Sequence, residues 1–409
     1  MNSVVAAGML DVVQQMGETL RRRFAACSWD YARFPALATE ALAAVELPSL
    51  TLADLPRLLI DLRRPAPRLD DHFSDFPLVL YQHSHFRIEL LSWLQASTSV
   101  HQHAFSGAFR VWEGSSLHSR YRFSGQQSVG VGVYRGETEY LGSEWLDRGD
   151  IRTIHAGAGL THAVFHLQRP TFSLVARTHS EPWHAPQLTL LRPGYAYDPV
   201  ALRSCLQPYE QMVRLYQHLG AAAIAEYLLP QLQRLPLAVI LVHGGWWLNM
   251  AQREGCAGQL LQAVSQQWGA ALAAQLEAAA LHHAIGQQGH YLRENLDDPL
   301  LRLFIAVLMQ APQRDVIEQL LACKLSQQVH SAIPELAAQL LASGHLSVTL
   351  RGGPVSQLFA LAMGLADEAE FIRQYQAQGL AAEAGLDHQA AIDLYRRLRG
   401  IPLFTLLHQ

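Results

Sequence analysis

The sequence predicts an α+β multidomain chain, with a central antiparallel β-barrel between N-terminal helices and an all-α C-terminal domain. Three changes of texture along its 409 residues carry this prediction. Residues 1–68 are rich in Ala and Leu, with apolar residues at helical spacing, as in LATEALAAVEL and LADLPRLLIDL. Residues 69–198 hold the barrel. Between Phe76 and Arg192, runs such as HFRIELLSWL, AFRVWEG, SRYRFSG, VGVGVYRG and TFSLVAR are rich in β-branched and aromatic residues, and glycine turns separate them at short intervals. Residues 199–409 return to helical spacing, as in YEQMVRLYQHLG and DDPLLRLFIAVLMQ.

Punctuation supports the boundaries. RRPAPR at 63–68 reads as a linker or helix stop, and Asp297-Asp298-Pro299 reads as a helix start. His243-Gly244-Gly245-Trp246-Trp247 has no GxSxG elbow to accompany it and reads as a helix break with packing tryptophans. Trp93 and Trp112 read as barrel core.

Composition narrows the function classes. Hydrophobic residues make up 50% and charged residues 16%, enough apolar material for large cores. The net charge is -4 with no basic run, which argues against nucleic acid as a partner. Four cysteines without a CxxC pair are the usage of a reduced compartment, so a soluble cytoplasmic protein is expected. The N-terminal apolar stretch is interrupted at Asp11, and its basic cluster, Arg21 to Arg23, follows the apolar part, the reverse of a secretory leader. The most apolar later stretch, Leu237 to Met250, is too short for a membrane span.

The chemistry lies in two segments. In STSVHQHAFSGAFRVWEG, His101 and His103 alternate along a strand and so share one face. In GDIRTIHAGAGLTHAVFH, a short strand and a glycine-rich bend precede His162. A barrel can bring that strand beside the first pair, so that three imidazoles share one ion. His155 and His166 compete with His162 for the third place; His155 is expected to face solvent, and His166 to support the ligands from outside the ligand set.

This ordering resembles the two motifs of the cupin superfamily, the first running from HxH to Gly114 and the second ending on the single histidine. The resemblance implies a cupin-type barrel, a double-stranded β-helix. Cupins usually add a glutamate shortly after HxH, whereas here Ala104, Phe105, Ser106 and Gly107 follow. An all-histidine site is the pattern of the thiol dioxygenases. Residues 76–192 resemble that cysteine dioxygenase group through SWLQASTSVHQHAFSGAFRVWEGSS and WLDRGDIRTIHAGAGLTHAVFHLQRPTFSLVART. Ser173 and Leu174 match its downstream pattern, with Ser173 a further supporting residue. Val175 stands where the group has a histidine, and Arg177 where it has a tyrosine. Ala108 aligns with the cysteine that some members crosslink, and the group's carboxylate-binding arginine falls near His83.

Tyr81, His83, Arg87, Tyr134 and Arg177 are the candidate substrate contacts. For His83 and the neighbouring His85, a half-exposed strand face is the favoured reading. Three neutral imidazoles leave a divalent ion with its full charge, which favours anionic ligands in its open positions. Fe(II) is the expected ion, because it suits O2 activation, and another divalent metal is the alternative. The expected activity is that of a mononuclear non-haem iron dioxygenase acting, with O2, on a small polar or anionic metabolite, such as a thiol or amino acid derivative. The alternatives are a metal-dependent cupin isomerase or lyase with a tyrosine as acid or base, and a non-catalytic ligand-sensing protein. The helical C-terminal domain is expected to cover the barrel mouth, recognise a larger substrate or join two copies of the chain.

Overall fold

A computed structural model describes residues 2–62, 74–94, 98–181, 183, 187–220, 222–325, 329–346, 348, 354–380 and 384–408. The chain forms two compact units, Met1–Ala279 and Ala280–Gln409. The predicted RRPAPR linker lies outside the described residues.

Three N-terminal helices come first, α1 (Asn2–Ala26), α2 (Phe34–Ala43) and α3 (Leu55–Asp61). On α1, Met9, Val13, Met16, Leu20 and Phe24 recur every three or four residues, and all are buried. Each such side chain contributes roughly 1.5–3 kcal/mol of burial. They pack on the first strands, β1 (Leu78–Gln82) and β2 (Phe86–Trp93).

Nine further strands follow: β3 (His101–His103), β4 (Gly107–Glu113), β5 (Ser116–Gly130), β6 (Val133–Leu146), β7 (Ile151–Ile154), β8 (Gly157–His166), β9 (Thr171–Thr178), β10 (Thr189–Leu191) and β11 (Tyr195–Tyr197). One sheet has the order β1-β2-β9-β4-β7, and the other closes as β10-β11-β6-β5-β8-β3. All pairings are antiparallel. The predicted arrangement of helices, barrel and helices is the one the chain adopts. The short pair β10 and β11 carries the barrel to Tyr197, beyond the strand texture that ends at Arg192.

The five-stranded sheet is covered on both faces, which is why β2 and β9 read as nearly continuous apolar runs. Ile88, Leu90, Leu174 and Ala176 pack with the N-terminal helices. Leu91, Trp93, Phe109, Val111, Leu146, Ile154 and Val175 fill the barrel interior. Trp112 differs from expectation: it lies on the helix side, where its Nε1 donates to the carbonyl of Pro48 at 2.7 Å. Gly125 also differs. It marks a bulge inside the long β5–β6 hairpin, where the register shifts between Ser124 and Gln127, and is not a turn between strands.

Among the described residues no strand follows Tyr197. His243 to Trp247 do not break a helix: helix Leu237–Arg253 runs through them. Gly244 serves close packing, since a Cβ there would lie 2.8 Å from the Leu276 side chain. Asp298 caps helix Pro299–Gln310, accepting from the amides of Leu300 and Leu301 at 2.8 and 2.9 Å. Asp298→Ala is expected to lower the stability of the C-terminal unit by about 1 kcal/mol, measured by urea denaturation. No helix among the described residues is long and apolar enough to cross a membrane.

Candidate metal centre

His101 and His103 sit on β3, and His162 stands opposite His101 on β8. The register then slips, so that His103 faces Gly157. The glycine bend absorbs the extra β8 residues. Gly157 has φ +61°, and a Cβ on Gly159 would lie 2.6 Å from the Cβ of His155. His155 itself is exposed.

The three imidazoles are buried, and each offers a nitrogen within 4.8 Å of the others. His103 Nε2 lies 2.8 Å from His162 Nε2. Two nitrogens bound at right angles to one ion at about 2.1 Å would be about 3.0 Å apart, so the pair is spaced as adjacent ligands would be. The Nδ1–H of His101 donates to the carbonyl of Ser99 at 2.8 Å, which turns Nε2 towards the other two rings. No carboxylate joins this cluster among the described residues.

Burial pushes His101 down to about 4, and holds His103 and His162 well below the ordinary histidine value. The rings are therefore neutral, the state that metal ligation requires. An unfolded chain would protonate them near 6.5, the ordinary value, so at lower pH the unfolded state binds more protons. This share of the stability is present above about 6.5 and is lost as the pH falls towards about 4. In chelator, the melting temperature is expected to drop between pH 7 and pH 5, by about a few degrees. Replacing the three histidines together should flatten that dependence.

The triad lies against the apolar interior. The Phe105 ring centroid is 4.5 Å from that of His103, and Phe109 is 6.2 Å from His162. Above Phe105 sits the guanidinium of Arg177, with Cζ 4.1 Å from the ring centroid. Val175 packs in the interior while Leu174 and Ala176 pack towards the helices, so alternation places Arg177 on the inner face. Its Nε donates to Glu89 at 2.7 Å, and Arg87, directly across from Arg177, pairs with the same carboxylate. Two arginines share one glutamate.

Other predicted residues lie elsewhere. Tyr81 is buried under α1, and its hydroxyl donates to Glu18 at 2.8 Å. His83 stacks on Trp29, with centroids 5.2 Å apart. Tyr134 packs beside Tyr121, Ala163 and Ala196, on the opposite face of β8 from His162. His166 stacks on Trp93 at 4.4 Å, and Trp93 Nε1 donates to Ser173 Oγ at 3.3 Å.

Sequence reasoning missed His118, Glu144 and Arg152. His118 Nε2 lies 2.9 Å from His162 Nδ1, and His118 Nδ1 lies 2.9 Å from Glu144 Oε1. Arg152 grips both oxygens of Glu144, at 2.8 and 2.6 Å. The hydrogen bonds from His118 and Arg152 hold the Glu144 carboxyl far below the usual carboxylate range.

No protein-family model matches the chain. No curated protein sequence matches it. Three similar solved structures describe its likenesses. A cupin-2 domain protein from Shewanella frigidimarina is 16% identical, over 32% of this chain and 94% of that one, with a TM-score of 0.19. Hydroquinone 1,2-dioxygenase from Sphingomonas sp. TTNP3, with 4-hydroxybenzoate bound, is 13% identical over 33% of this chain and 81% of its own, with a TM-score of 0.21. A structure from a pair of DMSP lyases is 14% identical over 46% of this chain and 100% of its own, with a TM-score of 0.24.

Proposed function

We propose that His101, His103 and His162 hold one divalent ion, Fe(II), and that the protein is a dioxygenase of a small anionic metabolite. The observation that carries this reading is the convergence of three buried, neutral imidazoles with no carboxylate among them. When bound, iron(II) in an all-nitrogen set would keep its full charge and supply an electrophilic, O2-activating centre suited to an anionic substrate group. The chain's own residues do the rest. Phe105, Phe109, Leu91 and Val175 exclude water from the interior. Arg177, paired with Glu89 and resting on Phe105, would bind a substrate carboxylate through its remaining N–H groups, a role its inward face supports.

The cysteine dioxygenase resemblance makes a thiol amino acid derivative the leading substrate class. Val175 and Arg177 replace that group's histidine and tyrosine, so free cysteine is expected to be a poor substrate or to give a different product. The Lewis-acid reading called for a tyrosine near the pocket as acid or base; Tyr81 and Tyr134, candidate substrate contacts, pack away from the triad. The test is metal analysis of the purified protein with oxygen uptake on a panel of thiols, amino acids and other small carboxylates. Uptake that requires both iron and one class of anion supports the proposal. Turnover by elimination or isomerisation without oxygen uptake would replace it with the lyase reading.

A further inference from the structure

We infer that His118 and Glu144 act as positioning residues: they fix His162 as an Nε2 ligand and supply, from outside the ligand set, the negative charge that the three imidazoles lack. The inference rests on the proposed metal centre and concerns residues that neither cupin motif contains.

The order of the protons follows from the groups present. Glu144 is held ionised by Arg152 and His118, and an ionised carboxylate can only accept. His118 therefore donates through Nδ1, and with that nitrogen committed to Glu144 its Nε2 is the acceptor offered to His162. The donor it meets is the Nδ1–H of His162, which leaves the lone pair of His162 on Nε2, the nitrogen that faces His103. Each link thus sets the next, and the last link selects the tautomer that metal ligation needs.

The placement of the chain suits this role. His118 is 1% exposed, with both ring nitrogens engaged, so the ring has a fixed orientation. Glu144 and Arg152 have side chains about a third exposed, at 31% and 32%, so the carboxylate keeps its charge at the edge of the barrel wall. A carboxylate bound directly to the ion would occupy a coordination position. At the far end of two imidazoles it strengthens His162 as a donor and leaves that position open.

The test uses the full chain with Co(II) as the probe, because cobalt absorption reports ligand geometry without turnover. Glu144→Gln removes the charge and keeps an acceptor for His118. His118→Leu removes the relay itself. Both are expected to bind Co(II) about 10–100-fold more weakly than the parent chain and to shift its visible bands. In metal-free, histidine-labelled protein, nitrogen NMR is expected to find His162 protonated at Nδ1 in the parent and in Glu144→Gln, but as a tautomer mixture in His118→Leu. If His118→Leu fails to fold, Glu144→Gln decides by cobalt affinity and spectrum. Cobalt binding that is lost in His162→Ala but unchanged, in affinity and spectrum, in both relay variants would overturn the relay alone. A parent chain that binds no cobalt, or a His162→Ala chain that binds it equally well, would overturn the metal centre and this inference with it.

Discussion

Replacing His101, His103 or His162 singly with alanine is expected to weaken metal binding by more than about 100-fold, beyond the 10–100-fold typical of groups outside the ligand set. The three are equivalent in kind: each is buried and each presents one nitrogen to the other two. The barrel should survive each change. Its interior is held by Leu91, Trp93, Phe109, Val111, Leu146, Ile154 and Val175, and its outer layer by the N-terminal helices, none of which depends on an imidazole. Elemental analysis and circular dichroism on the same samples separate loss of metal from loss of fold. Full metal occupancy in two of the three variants would refute the ligand assignment.

Arg177→Leu is expected to raise KM for an anionic substrate by roughly 10–100-fold, the worth of one charge-assisted hydrogen bond at about 1.5–3 kcal/mol. Folding should be affected less, because Arg87 still pairs with the buried Glu89. Glu89→Gln should act in the opposite sense. It leaves Arg87 and Arg177 side by side with no shared carboxylate, so stability falls by a few kcal/mol, roughly 3–5 for a broken buried pair. Anion affinity rises because both guanidinium groups lose their internal partner. The comparison separates a substrate-binding arginine from one that only holds Glu89. If Arg177 is purely structural, Arg177→Leu changes the melting temperature and leaves KM alone.

The fold was legible because its texture changes twice, from helical spacing to short β-rich runs and back. The triad was legible because HxH alternates along a strand and the glycine bend before His162 is unusual in composition. The glycines proved to absorb a register slip between β3 and β8. Arg177 was uncertain in face because one residue of strand register reverses a side chain. Its inward direction follows from packing on both sides of β9, which only the assembled sheet supplies. The surroundings of Tyr81 were hidden for a related reason: the sequence says that β1 is a strand, but not that α1 covers that face.

The relay was hidden in the long hairpin. His118 and Glu144 face each other across β5 and β6, but the ladder shifts register three times between them and the turn. Carried down unbroken from the Gly130–Val133 pair, the register would have set His118 against Trp145 instead. The bulges also explain why Gly125 looked like a turn.

X-ray absorption of the iron-loaded chain tests the central claim most directly, because it counts ligands without requiring a substrate. The account predicts nitrogen scattering at about 2.1 Å, with the outer-ring pattern of three imidazoles, in the parent chain. It predicts two imidazoles at most in any iron retained by His103→Ala. A parent spectrum with one imidazole or none, or one dominated by sulfur, would contradict it.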